Sequence, residues 1–269
     1  MPLVDSQGAR ICWTEEGSGD PILLVMGHIY AKEMWHRTVP ALARRNRVIS
    51  FDNRGVGGTI APLEPFSIAT MALDALAVLD AAGVDKAHVF GVSMGGLIAQ
   101  ELAISHPDRV RSLILGCTGA PSAETAPSSR WASLKYRIPL GLASRLTVPV
   151  MYGKGTPKEK IDADLAIIAS MRVSSSGLAQ QSRAVSNYRS LDRVGAIAVP
   201  TLVIHGTDDK VVSIDRGREL AERIEGARFV AIPGAGHNFT AEATEETNDL
   251  VLEFVEQVSR AAGVLGTPL

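Results

Sequence analysis

Short apolar, β-branched runs that end in glycine or turn residues alternate with longer alanine- and leucine-rich stretches through the first 120 residues. Pro21-Ile-Leu-Leu-Val-Met26, closed by Gly27, reads as a buried strand, as does Arg47-Val-Ile-Ser-Phe-Asp52, which runs into Arg54-Gly-Val-Gly-Gly58. Residues 36–45 between them fit a short helix. The spacing predicts a helix over Ser67–Ala82, with Ser67 as cap and Gly83 as stop. It also predicts a strand at Ala87–Phe90, a helix from Gly96 to Ser105 stopped by Pro107, and a strand at Val110–Leu115. Strict strand–helix alternation means βαβ units, hence a mostly parallel sheet covered by helices on both faces. Arg10-Ile-Cys-Trp-Thr-Glu15 alternates instead, as an antiparallel edge strand would.

The alternation breaks between Ala120 and Gly195, where proline, serine and glycine are frequent and the apolar spacing turns helical. It resumes with a strand at Thr201–Ile204, a helix over 213–225, a strand at Ala227–Ile232 and an amphipathic helix over 242–260. The expected organisation is therefore an α/β core over 1–119 and 196–269, interrupted by a helical cap over 120–195.

Composition narrows the class. At 269 residues and 46% apolar, the chain can bury a large core without staples. A net charge of -2 offers no basic field for nucleic acid or an anionic membrane. Cys12 and Cys117 form no CxxC pair, so neither a zinc site nor a disulfide framework is expected. No apolar run approaches the ~18 residues of a membrane span. The N-terminal residues lack a basic region followed by an apolar stretch, so a signal peptide is not expected. The expected setting is cytoplasmic, with a small molecule as partner, no nucleic acid and no membrane; a homodimer is left open.

Gly91-Val-Ser-Met-Gly95 fits G-x-S-x-G, and it stands between a predicted strand and a predicted helix, where a nucleophile elbow must lie. Small residues at both ends let strand and helix approach, and the helix N-terminus faces developing negative charge. A serine hydroxyl needs a base. Of the six histidines, His88 and His205 fall inside strands, His36 opens a helix, and His106 precedes a proline at a helix end. His28 follows the first core strand as a candidate pocket wall. His237, in Pro233-Gly-Ala-Gly-His, follows the last strand in a glycine-bearing loop that can fold over the sheet edge where Ser93 emerges, and is the candidate base. The base needs a carboxylate, and Asp208 and Asp209 reach the same edge; periodicity does not separate them. Two backbone N–H groups would form the oxyanion hole, one from Met94 and one from His28 in the loop after the first core strand.

With Phe51-Asp-Asn-Arg-Gly-Val-Gly-Gly-Thr59 and His205-Gly-Thr-Asp-Asp added, these motifs resemble the α/β-hydrolase superfamily across most of residues 20–260, nearest to its small bacterial esterase, enol-lactonase and cofactor-free haloperoxidase branch. The resemblance implies Asp209 as the acid, a Ser93–His237–Asp209 triad, no cofactor and no metal. It implies cleavage of a small carboxylic ester or lactone, and perhydrolysis as a side activity. Two departures stand out: Met26 replaces the usual histidine before the oxyanion glycine, and Thr59 replaces the final serine of the D-x-R-G-x-G-x-S turn. A serine nucleophile argues against the dehalogenase and epoxide-hydrolase branches, which start from aspartate. Carbon–carbon hydrolysis of a ring-cleavage product is the alternative reaction, and a non-catalytic small-molecule-binding protein the alternative class. Within the cap, Trp131, Tyr136 and Tyr152 are candidate substrate contacts. The cap holds eleven basic and five acidic residues, a net +6 against -8 for the remainder, so it is a candidate for steering an anionic substrate.

Overall fold

The computed structural model describes residues 1–124 and 140–263. Eight strands form one sheet: β1 (Leu3–Ser6), β2 (Ala9–Glu16), β3 (Asp20–Val25), β4 (Asn46–Phe51), β5 (Ala87–Val92), β6 (Val110–Gly116), β7 (Thr201–Gly206) and β8 (Arg228–Ile232). Their order is β1-β2-β4-β3-β5-β6-β7-β8. From β4 to β8 every neighbouring pair is parallel; β1 and β2 are antiparallel additions at one end.

Side chains alternate between two cores, one on each face of the sheet. Leu23, Val25 and Val89 join Ile68, Met71, Leu97 and Leu220 on one side. Ile22, Leu24 and Phe90 join Trp35, Phe239, Val251 and Phe254 on the other. The first side is covered by α2 (Ile68–Ala81), α3 (Met94–Ser105) and α7 (Ile214–Arg223). The second is covered by α1 (Val39–Leu42) and α9 (Thr244–Ala261). Covering both faces explains why the parallel strands read as unbroken apolar runs. Ser67 caps α2 by accepting from Thr70 N–H, and the Thr70 hydroxyl accepts from Ser67 N–H in return.

The segment between β6 and β7 carries α4 (Leu140–Met151), α5 (Lys158–Ser170) and α6 (Ser175–Asn187). The short α8 (Phe239–Glu242) follows β8 and precedes α9. Among the described residues no helix is long and apolar enough to cross a membrane.

Two local expectations need correction. The Arg10–Glu15 run is not an edge strand, because β1 pairs outside it through a two-residue turn at Gln7 and Gly8, both at positive φ. That four-residue strand is too short to show a period. The helix expected over 36–45 shrinks to α1, preceded by a 3₁₀ turn at Lys32–Trp35. Pro40 is tolerated only in a first helical turn, so the helix starts there, and β4 begins at Asn46.

Strand order decides where a site can form. The chain runs from β3 outward to β4 on one side, then returns to β5 on the other. Such a reversal opens a crevice beyond the C-terminal ends of the two strands. Gly27 follows β3 there, and Ser93 follows β5.

Candidate active site

Ser93 occupies the one-residue turn between β5 and α3, with φ 53° and ψ −120°. This region is essentially reserved for glycine and costs a serine of order 1–3 kcal/mol. The surrounding structure holds it. Ser93 N–H donates to the Gly116 carbonyl at 2.8 Å, and the Ser93 carbonyl accepts from the Thr118 hydroxyl at 2.9 Å. The two motif glycines are required sterically. A Cβ on Gly91 would lie 2.2 Å from the Gly95 carbonyl oxygen, and one on Gly95 would lie 2.0 Å from that of Val25. The turn also faces the loop after β3: a Cβ on Gly27 would lie 3.2 Å from Ser93 Cβ and 3.9 Å from its Oγ.

His237 and Asp209 meet across the loops after β8 and β7. His237 Nδ1 lies 2.8 Å from Asp209 Oδ2, and both residues are buried. Of the two adjacent aspartates, Asp209 faces the imidazole, while Asp208 is exposed and accepts from the Thr207 hydroxyl. The other Asp209 oxygen accepts from the N–H groups of Val211 and Val212 at 2.8 and 3.0 Å. Burial by itself would raise the Asp209 pKa. The hydrogen bonds of His205 and His237, the charge on His237 and the Val212 N–H outweigh it, holding the carboxyl well below the usual range. The end of β6 ties this pair to the serine turn. Gly116 receives the Ser93 N–H, and the next residue, Cys117, sets its Sγ 3.8 Å from the Gly236 carbonyl, beside His237.

Residues 20–149 and 158–244 match the α/β hydrolase fold model. The chain belongs to the α/β-hydrolase fold family. The RutD protein of Azorhizobium caulinodans is 32% identical over 267 residues, covering 97% of this chain and 100% of that one. The enol-lactonase of Burkholderia xenovorans LB400 superposes with a TM-score of 0.85 at 28% identity, over 95% of this chain and 100% of its own. Est816, described as an N-acyl homoserine lactone degrading enzyme, superposes at 0.81 with 30% identity, over 94% and 100%. The protein is accordingly a hydrolase.

The family's two altered positions are accommodated locally. The Thr59 hydroxyl donates to the Asp52 carbonyl at 2.6 Å and accepts from Cys12 N–H at 2.9 Å, so a threonine supplies the hydroxyl this turn needs. The Met26 carbonyl accepts from Asn53 Nδ2 at 2.8 Å, which anchors the start of the loop after β3 through the backbone. Met94 opens α3 as its first residue, and His28 lies in the loop after β3, its Nε2 3.0 Å from the Ser182 hydroxyl.

The three aromatic candidates fare differently. Tyr152 is buried, and its hydroxyl donates to Asp164 Oδ2 at 2.8 Å, so that hydroxyl is committed to a buried carboxylate also paired with Arg37. Burial first, then the Asp164 charge, push the Tyr152 phenol upward. Trp131 and Tyr136 lie outside the described residues.

Sequence reading missed His205, placed simply inside a strand. Its Nε2 lies 2.9 Å from the Val212 carbonyl and 3.3 Å from Asp209 Oδ2. The available signal was its spacing of four from Asp209. His205, Asp209 and Cys117 bring ligand-type atoms within 4.8 Å of one another, the single such grouping among the described residues. His205 Nε2 is turned to the Val212 carbonyl and the carboxylate, and its Nδ1 packs against Gly217. A metal held there would take the carboxylate from His237, so the group fits a hydrogen-bond network better than a metal site.

Proposed function

We propose that the chain cleaves a small carboxylic ester or lactone through an acyl-enzyme on Ser93. The observation that carries this reading is a serine held at φ 53° at the crevice end of β5, against the Gly27 loop. Strain of this kind clusters at active sites, where it presents a reacting side chain. The His237–Asp209 contact supplies the complementary part, a base whose second nitrogen is left for the serine proton.

In the proposed cycle, Ser93 Oγ attacks the carbonyl carbon as its proton passes to His237 Nε2. Asp209 accepts the hydrogen bond from Nδ1–H, fixes the tautomer and stabilises the imidazolium. The N–H groups of Met94 and His28 receive the developing oxyanion. The imidazolium returns its proton to the leaving alcohol oxygen, which departs and leaves the serine acylated. A water then gives its proton to His237 and attacks the acyl carbon. Collapse releases the acid and restores the hydroxyl. In a lactone the leaving oxygen stays attached, so a single hydroxy acid is released.

The similarity to an enol-lactonase and to an N-acyl homoserine lactone degrading enzyme supports including lactones. The test is a panel of short p-nitrophenyl esters, γ- and δ-lactones and a dienoate ring-cleavage product, each run beside Ser93→Ala. Turnover of esters or lactones that vanishes in the variant is the expected result. Turnover confined to the dienoate would move the reading to carbon–carbon hydrolysis, and binding without turnover would move it to a receptor.

A further inference from the structure

Helix α6, far from every triad member in sequence, places one amide between two loops of the site. Gln181 is fully buried. Its Oε1 accepts from the Ile29 N–H at 2.9 Å, and its Nε2 donates to the Arg54 carbonyl at 2.7 Å. Ile29 follows His28 and sits at φ 67°, a left-handed conformation that a β-branched residue rarely adopts. The amide thus holds, by its N–H, the strained residue next to a proposed oxyanion donor. Neighbouring contacts run the same way: Ser182 lies on His28 Nε2, and Met171 Sδ accepts from Ala31 N–H at 3.5 Å.

The helix carrying Gln181 is itself docked backbone to backbone. A Cβ on Gly177 would lie 2.4 Å from Gly55 Cα, and one on Gly55 would lie 2.5 Å from Gly177 Cα. Ser174 N–H donates to the Gly55 carbonyl at 3.2 Å, and Gly57 N–H donates to that of Arg172 at 2.8 Å. The start of α6 therefore has no room to slide, and its amide is delivered at a fixed height over the loop.

We propose that Gln181 is a positioning residue for the oxyanion hole, bridging the Ile29 N–H and the Arg54 carbonyl so that the peptide at His28 is aimed where negative charge develops. The proposal rests on the serine-hydrolase reading above. Only an amide serves both partners. A carboxylate would accept from Ile29 but oppose the Arg54 carbonyl. A hydrocarbon would leave both backbone groups buried and unpaired. Once released, Ile29 can relax from its left-handed φ, and the backbone shift it passes back through His28 turns the preceding Gly27–His28 peptide, which carries the donor N–H, off its line.

The experiment is steady-state kinetics on p-nitrophenyl butyrate, with inhibition by phenylboronic acid, for wild type, Gln181→Ala, Gln181→Met and Ser93→Ala. Boronate forms a tetrahedral anion on the serine and so reports on the oxyanion hole, whereas KM reports mainly on ground-state binding. We expect Gln181→Ala to lower kcat roughly 10- to 100-fold, less than the ~10²–10³ for outright loss of a donor. The boronate Ki should weaken by the same factor, with KM within about threefold. Gln181→Met, which keeps the side chain's length, should behave likewise. A variant with wild-type kcat, or with KM raised and boronate affinity untouched, overturns the proposal. So does failure of both variants to fold, which would make Gln181 a packing residue. If Ser93→Ala is inactive while Gln181→Ala keeps full kcat, only this proposal falls. If Ser93→Ala retains turnover, the serine-hydrolase reading falls and takes the proposal with it.

Discussion

The strands β3 and β5 carry the proposed catalytic serine at one end and a buried serine–histidine–aspartate network at the other. At their N-terminal ends, His88 Nε2 lies 3.0 Å from Asp20 Oδ2 and Nδ1 lies 2.7 Å from the Ser112 hydroxyl, with Ser259 of α9 closing the network. At their C-terminal ends stand Gly27 and Ser93, with Asp209 and His237 in the loops after β7 and β8, on the far side of β6. Each end pairs a histidine with an aspartate, and both aspartates are held below the usual carboxylate range. For Asp20, burial is again the largest influence and acts upward. The combined hydrogen bonds and charges of His88, Ser259 and Arg111 outweigh it.

What differs is placement. His88 and Ser112 are wholly buried, and Ser112 sits inside β6, paired with His88. Ser93 sits in a strained turn at the mouth of a crevice, next to the start of a helix. The same side-chain types therefore pin α9 to the sheet through Ser259 at one end and carry the proposed chemistry at the other. A triad is defined by the backbone beneath its serine as much as by its side chains.

Substitutions can break this comparison. Ser93→Ala should lower kcat/KM on an active ester by on the order of 10⁴-fold or more, whereas Ser112→Ala should stay within about threefold. Comparable losses in both would erase the distinction. Asp209→Asn, which favours the wrong tautomer, should cost roughly 10⁴-fold, with the fold intact by circular dichroism. Conversely, His88→Ala should leave kcat nearly unchanged and cost about 3 kcal/mol in urea unfolding, because it takes one partner from a buried carboxylate and leaves the Ser112 hydroxyl without its imidazole. A fully stable His88→Ala protein would mean that the network does not anchor α9.

Acid stability sharpens the comparison further. A carboxylate whose folded pKa is depressed stabilises the fold above its unfolded value, about 4, and that contribution is lost as pH falls through the folded value. Wild type should therefore lose urea stability steeply below about pH 4. Asp20→Asn and Asp209→Asn should each be weaker at neutral pH but flatter across the acid range. Slopes parallel to wild type would contradict the depression of both groups. The smallest effect concerns the basic segment between β6 and β7. Some of its charge is already spent, Arg193 on Glu101 and Lys158 on Asp162. If it steers substrate, kcat/KM for an anionic ester should fall a few-fold more between low and physiological salt than for a neutral ester of equal size. Equal salt slopes would remove steering from the account.

The legible features were those written in contiguous residues. G-x-S-x-G between a β-branched run and an alanine-rich one announces the turn at Ser93, and the unbroken apolar runs announce buried parallel strands. The choice between Asp208 and Asp209 was not legible from period, because it depends on which carboxylate the turn after β7 sends toward His237. Nor was β1, whose four residues are set by pairing with β2. Gln181 was least legible of all. It falls within the stretch whose spacing marks only a helix. Its partners, Ile29 and Arg54, stand 152 and 127 residues away, and both are backbone atoms that leave no trace in residue identity.

The central claim is that Ser93 alone among the serines is reactive. Incubating the protein with a fluorophosphonate and mapping the adduct by peptide mass spectrometry tests it directly. The account predicts one adduct per chain, on the peptide carrying Ser93, with none on those carrying Ser112 or Ser259 and none in Ser93→Ala. An unmodified chain that still turns over esters, or an adduct that persists in Ser93→Ala, would contradict it.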